Sequence, residues 1–210
     1  MDAISLSQQE LVSALLAKNV DVSYRDEDGI SIAAQAAHKG HYNVMKTIID
    51  KNVPIATKED DLHPFIIAAS EGHDDIIKLL LDSGKVNVET KDSDGTSALM
   101  AASVRGHKNV VNTLLSRKVN VNAQNIDGHT ALMFAYNGKS QVNHLLDKYS
   151  EYIQNHHSHA AGLLQLPMNN NISDIKNSQS IHNEIVTLLI KHGSDINIKS
   201  REGHIAKDFD

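Results

Sequence analysis

Histidine is the residue type with which this chain could most readily do chemistry, because it supplies 13 of the 210 residues while cysteine is absent. Three histidines, His41, His73 and His107, each follow a glycine and recur at steps of 32 and 34 residues. Such regular steps place them at the same point of successive layers, and packed helices lie about 10 Å apart. A shared zinc ion would need ring nitrogens at about 2.0–2.1 Å. We therefore interpret them as hydrogen-bonding histidines in turns.

A second group of histidines, His156, His157 and His159, lies in a stretch rich in asparagine and serine. These side chains could hold a metal ion weakly, but no second group of ligands accompanies them. A polar loop is the simpler interpretation. The sequence therefore predicts no metal site and no cofactor.

Motifs for nucleophilic catalysis and for phosphate binding are absent from the sequence. No serine stands in a Gly-x-Ser-x-Gly turn. The triplet Gly138-Lys139-Ser140 matches only the end of a phosphate-binding loop, because Met133 replaces the first glycine of that motif. We expect that the chain is not an enzyme.

Charge and composition narrow the class of partner. The formal net charge of −6 argues against nucleic-acid binding, which usually needs a basic face. No apolar run approaches the length of a membrane span. The absence of cysteine fits a reducing compartment. We expect a monomer in the cytoplasm, with the nucleus as the alternative, and neither nucleic acid nor membrane as a partner.

The elements that position these residues repeat along the chain. Asp-Gly pairs end at Gly29, Gly95 and Gly128, at steps of 66 and 33 residues. Small residues lie between each such point and the next Gly-His pair, and aliphatic residues at helical spacing follow that pair. The pattern predicts first helices near 31–38, 63–70, 97–104 and 130–137. It predicts second helices near 7–18, 41–51, 73–83, 107–117 and 181–192.

Each pair of helices would form one thin layer. Alanines such as Ala36, Ala68 and Ala102 would let first helices approach closely, and a glycine can end a helix in the left-handed conformation. One layer cannot cover the aliphatic face of its second helix, so the layers must stack.

At this point the sequence resembles the ankyrin repeat, most clearly in the segment DSDGTSALMAASVRGHKNVVNTLLSRKVNVNAQNIDGHTALMFA. The resemblance is strong over 26–137 and partial over 7–25 and 181–210. It implies an all-α ankyrin-repeat solenoid, in which stacked helix–turn–helix layers carry projecting hairpin loops. It also implies protein binding on the concave side, by loop tips and first helices.

The chain would be a single domain, 1–210. We divide it into an N-terminal capping half-repeat (1–25), regular repeats (26–137), an insertion (138–180), and a last helix with a C-terminal cap (181–210). The insertion would split one repeat, because Gly128 and Gly203 are 75 residues apart. A degenerate extra repeat with a first helix near 160–166 remains the alternative. Within the insertion we expect an amphipathic helix over 139–153 and a mobile stretch over 154–178.

The resemblance implies a binding surface on the loop tips and first helices. Its residues in this sequence would be Arg25, Glu27, Asp28, Ile30, His38, Lys39, Asp60, Leu62, Ser70, Glu71, Ser93, Asp94, Thr96, Val104, Arg105, Ile126 and His129. Ile30, Leu62, Val104 and Ile126 would form an apolar contact strip. Acidic tips beside it favour a partner with a basic segment, although simple solvation explains charged tips equally well.

The function that follows is a protein–protein interaction module, acting as an adaptor or scaffold through this concave surface. The alternative is a regulatory or inhibitory subunit of an enzyme that uses 138–180 as its contact. In both cases the partner is another protein.

Overall fold

The computed structural model describes residues 30–56, 63–155 and 172–209, and over these ranges the chain is helical apart from turns and an isolated bridge between Lys91 and Ser97. The described α-helices are α1 (Ile32–Lys39), α2 (Tyr42–Asp50), α3 (Pro64–Ser70), α4 (Asp74–Asp82), α5 (Ala98–Arg105), α6 (Lys108–Ser116), α7 (Ala131–Asn155) and α8 (Ile172–Lys191). A 3-10 helix, Ala206–Phe209, follows them.

The helices form four layers, each of which pairs a first helix with the second helix that follows it. The first helices α1, α3, α5 and α7 pack in that order on one side, and the second helices α2, α4, α6 and α8 pack in that order on the other. The 3-10 helix packs on α7 and ends the described stack. This arrangement confirms the predicted all-α solenoid.

The first helices begin and end at residues that the repeat pattern marks. The Ser31 and Ser97 hydroxyls accept hydrogen bonds from the backbone N–H of Ala34 and Met100, at 3.2 and 3.3 Å, which satisfies donors that a helix leaves free at its start. Gly40 and Gly106 end α1 and α5 in the left-handed conformation. The first helices α1, α3 and α5 therefore have seven or eight residues each. Because their lengths match, the turns that follow them lie side by side.

The interior is built from small residues on the first helices and aliphatic residues on the second. The residues with almost no exposure include Ala37, Ala68, Ala69, Ala102, Ile76, Ile77, Leu80, Val110, Val111 and Leu114. Burial of their apolar surface contributes about 25 cal/mol per Å². Because every layer shares this interior with its neighbours, the outward faces of the first helices are held side by side.

The helices of the fourth layer begin and end at residues other than those predicted. The expected first helix at 130–137 and the expected amphipathic helix at 139–153 are one helix, α7, because Gly138 adopts a helical conformation and does not end it. The expected second helix at 181–192 begins earlier, since α8 starts at Ile172. Within the stretch predicted to be mobile, 154–178, the structure describes residues 154–155 and 172–178, and both segments are helical.

Other predicted features lie outside the described residues. They are the second helix near 7–18, the alternative first helix near 160–166, and the histidines of the polar loop.

Candidate protein-binding surface

A groove lies across the outward faces of the first helices in the first three layers. Its volume is about 500 Å³. Because each layer repeats the one before it, the first helices run in the same direction and their last turns lie together. The lining residues are Ile30, Ala34, Gln35, His38, Lys39, Ile67, Ser70, Glu71 and Arg105.

The groove has an apolar part and a charged part. Ile30, which precedes α1, is 43% exposed, and Ile67, in the middle of α3, is half-buried. The charged part is formed by the last turns, where Nδ1 of His38 lies 3.5 Å from Oε1 of Glu71. Lys39 and Arg105 are exposed there, and no carboxylate among the described residues forms an ion pair with either of them.

A row of histidines holds the last turns of the first helices in place. Nε2 of His73 lies 3.1 Å from the His38 carbonyl oxygen, and Nε2 of His107 lies 2.8 Å from the Ser70 carbonyl oxygen. A carbonyl oxygen only accepts, so Nε2 carries the proton in both rings. The interpretation of these histidines as hydrogen-bonding residues in turns is confirmed for these two.

A third member of this row was missed by the sequence interpretation. Nε2 of His182, on α8, lies 3.2 Å from the Val104 carbonyl oxygen, which repeats the bond of the earlier layers. The signal that could have found it is spacing, because His107 and His182 are 75 residues apart, the same separation as Gly128 and Gly203.

Burial favours the neutral form of the His107 ring and of the His41 ring, which occupies the equivalent position after α1. It lowers the pKa of His107, with smaller contributions from the positive charges of Arg105 and His73, against the opposing hydrogen bond to Ser70 and the charge of Glu71. Burial also lowers the pKa of His41, and the charges of Lys39 and His73 add to this. A neutral ring still donates through Nε2, so the hydrogen bond of His107 needs no charged histidine.

All the sequence-predicted site residues except Val104 fall into three sets. The groove brings together Ile30, His38, Lys39, Ser70, Glu71 and Arg105. A second set lies on or beside the loop tips of the third and fourth layers: Ser93, Asp94, Thr96, Ile126 and His129. The third set lies outside the described residues: Arg25, Glu27, Asp28, Asp60 and Leu62. Val104 precedes Arg105 on α5, but it is half-buried and does not line the groove.

Three groove residues were missed by the sequence interpretation: Ala34, Gln35 and Ile67. They lie within predicted helices, where apolar and small residues are expected to pack inward. A residue's orientation on so short a helix is not fixed by periodicity alone.

The tips of the third and fourth layers are built by the same local hydrogen bonds. Oδ1 of Asp92 accepts from the N–H groups of Asp94 and Thr96, at 3.0 and 2.7 Å. Oδ1 of Asn125 accepts from Asp127 and His129 in the same way. The carboxylate of Asp92 is therefore used within its turn, and Asp94 is the more exposed acid there.

The predicted apolar strip is exposed at two of its four positions. Ile30 and Ile126 are 43% and 46% exposed, Val104 is half-buried, and Leu62 lies outside the described residues. Ile190 is similarly exposed, at 45%, but it lies on the second helix α8.

An aromatic cluster, which sequence reasoning did not anticipate, lies at the last layer. The His129 ring packs edge-on against Phe134 and Phe209, with centroids 6.0 and 5.4 Å apart, and His204 packs against Phe209 at 5.9 Å. These contacts attach the C-terminal 3-10 helix to α7 and use His129 for packing.

Two further classes of site have no candidate in the described part of the chain. No group of three histidine, aspartate or glutamate side chains there could hold a metal ion. Likewise, none of the helices described is long and apolar enough to span a membrane.

Comparison with known proteins agrees with this architecture. The family model of ankyrin repeats (3 copies) matches residues 1–92 and 65–157. Dauer abnormal formation protein 25 of Caenorhabditis elegans is 32% identical over 85 residues, which is 40% of this chain and 22% of that protein. The chain therefore spans only about a fifth of that relative. Ankyrin repeats generally act in protein–protein interaction, and since the family model covers most of the sequence, this chain belongs to the ankyrin-repeat family.

Proposed function

We propose that the chain is an adaptor or scaffold that binds a partner protein across the groove and the neighbouring loop tips. One observation supports this most directly: an exposed isoleucine, a half-buried isoleucine and two cations line one groove, and neither cation forms an ion pair with a carboxylate of the described residues. Ile30 is 43% exposed and shares this groove with Ile67, and an apolar surface bordered by polar residues is typical of an interaction site. In this proposal the protein acts as a monomer in the cytoplasm or nucleus.

We expect Ile30→Asp and Ile126→Asp each to speed dissociation of the partner by roughly tenfold or more, because a buried carboxylate would replace an apolar contact. Ile190→Asp is the matched control, since Ile190 is equally exposed but lies on a second helix. A partner captured by photo-crosslinking at Gln35 would be purified, and its dissociation rate measured by surface plasmon resonance. If all three variants released the partner at the same rate as the wild type, the concave surface would be excluded as the binding site.

The acidic loop tips would attract a second part of the partner, a basic segment. Asp94 and Asp127 are exposed on neighbouring tips, which are joined by a hydrogen bond from Ile126 N–H to the Asp94 carbonyl oxygen. A basic segment of the partner that passes over these tips would be attracted before contact, which raises the association rate more than the affinity.

A second candidate function, a regulatory or inhibitory subunit of an enzyme, is favoured by the length of the fourth layer. The helices α7 and α8 have 25 and 20 residues, whereas those of the other described layers have seven to nine. At 1.5 Å per residue, α7 extends about 25 Å further than α5. Nε2 of Gln179 donates to Oδ1 of Asn143 at 2.7 Å. The helices α7 and α8 therefore stay in contact past the point at which the first helices of the other layers end. This extension would be the contact with the enzyme.

Deletion of residues 140–181 together with Lys139→Gly separates the two functions. The deletion joins a glycine to His182 and restores the 33-residue step that separates Gly95 from Gly128. Because His182 keeps its place beside Val104, we expect circular dichroism to show a folded helical protein. An adaptor should keep its partner with unchanged affinity in isothermal titration calorimetry. Loss of the partner from the folded deletion variant would favour the regulatory subunit.

A further inference from the structure

We infer that the groove selects a peptide segment of the partner that carries an aliphatic side chain close to a carboxylate. This inference rests on the proposed function and adds the chemistry of the ligand. It follows from the distribution of charge and apolar surface along the groove.

Counted over the residues that the structure describes, the charged part of the groove has a positive excess. Lys39 and Arg105 supply two fixed positive charges, and Glu71 supplies one negative charge. The Glu71 carboxylate already faces His38, with which it makes the 3.5 Å contact. A ligand carboxylate would find two cations there that form no ion pair with a described carboxylate, whereas a ligand lysine or arginine would be repelled by them.

The apolar part lies within reach of the same ligand. Ile30 lies two residues before α1, and Lys39 is the last residue of that helix, so the two residues lie roughly 10–17 Å apart. An extended peptide advances about 3.3 Å per residue. The aliphatic residue and the carboxylate should therefore lie about three to five residues apart in the ligand.

A purely structural role for the cations makes a different prediction. His38, Lys39 and Arg105 lie in the last turns of α1 and α5, where a positive charge complements the helix dipole. If this were their whole role, reversal of their charge would lower stability and leave ligand binding unchanged. Binding and stability must therefore be measured on the same variants.

The experiment uses a random-peptide display library selected on the full chain, followed by fluorescence anisotropy with the selected peptides. The test variant is Lys39→Glu with Arg105→Glu. The control is Lys46→Glu with Lys191→Glu, which makes the same change of net charge on exposed second-helix positions. Ile30→Asp reports whether a peptide uses the groove, and thermal melting reports stability.

We expect the selected peptides to pair aspartate or glutamate with leucine, isoleucine or valine. The groove charge reversal should weaken their binding roughly tenfold or more, and the control should change it by less than about twofold. Higher salt should weaken wild-type binding as well.

Two other outcomes would overturn the inference in distinguishable ways. If the selected peptides are neutral or basic and bind Ile30→Asp more weakly than the wild type, the proposed function stands and the acidic ligand is excluded. Peptides indifferent to every groove variant, or no selected peptides at all, would contradict both the inference and the proposed function.

Discussion

Gly138→Ala is expected to destabilise the protein by about 2 kcal/mol or more, although the same change inside an ordinary helix stabilises it by about 1 kcal/mol. The reason is close approach in the fourth layer. A Cβ atom at position 138 would overlap the Val104 carbonyl oxygen and would lie 2.5 Å from Nε2 of His182. Either α7 must move away from α5, or the bond from His182 to Val104 must break.

Both responses weaken the contact between the third and fourth layers. Separation of the helices costs about 1–3 kcal/mol in an overpacked interior, and a buried carbonyl without its partner costs a similar amount. The clash is with backbone as well as with a side chain, so rotation of the His182 ring alone cannot relieve it. The gain in helix propensity is too small to compensate.

Urea unfolding followed by circular dichroism would measure the effect, and hydrogen exchange of α5 and α7 would locate it. Gln141→Ala is the control, because it changes an exposed residue one turn further along the same helix and should alter stability by less than about 0.5 kcal/mol. A Gly138→Ala protein as stable as the wild type would show that the fourth layer is packed differently.

The sequence contains most of the information about the first three layers. Asp-Gly pairs precede α1 and α5, and Gly-His pairs follow α1, α3 and α5. The small residues before each Gly-His pair favour a thin first helix. In the fourth layer Asp127-Gly128 still precedes α7, but no Gly-His pair marks the end of the first helix. Gly138 looks like a helix end, but only the neighbouring Val104 and His182 reveal that it is needed for close packing.

The groove is predictable in its charged part and less so in its apolar part. His38, Lys39, Glu71 and Arg105 stand just before the Gly-His pairs, a position that the repeat assigns to the surface. Ile67 follows Phe65 and Ile66, which are both buried, so the sequence predicts that all three side chains pack into the interior. Which of three consecutive apolar residues faces outward depends on how neighbouring layers rotate, and that is a tertiary property.

We also expect Gly72→Ala to destabilise the protein by about 2–4 kcal/mol, against about 1 kcal/mol for Gly84→Ala. Both glycines have positive φ, 79° and 69°, so both substitutions carry the strain of a left-handed residue. A Cβ at Gly84 would meet nothing within 4 Å, whereas one at Gly72 would lie 2.5 Å from Nδ1 and 2.9 Å from Cγ of His107. The difference between the two variants isolates the clash with the histidine row.

A double-mutant cycle with His107→Ala tests the cause of that difference. His107→Ala alone removes the bond to the Ser70 carbonyl oxygen and should cost about 1–3 kcal/mol. It also removes the ring that a Cβ at position 72 would meet, so Gly72→Ala should cost about 1–2 kcal/mol less in the His107→Ala background than in the wild type. Gly84→Ala should cost the same in both. Urea unfolding would measure these free energies. If Gly72→Ala lowered the free energy of unfolding equally in both backgrounds, the His107 ring would move aside freely and would not hold Ser70 at the edge of the groove.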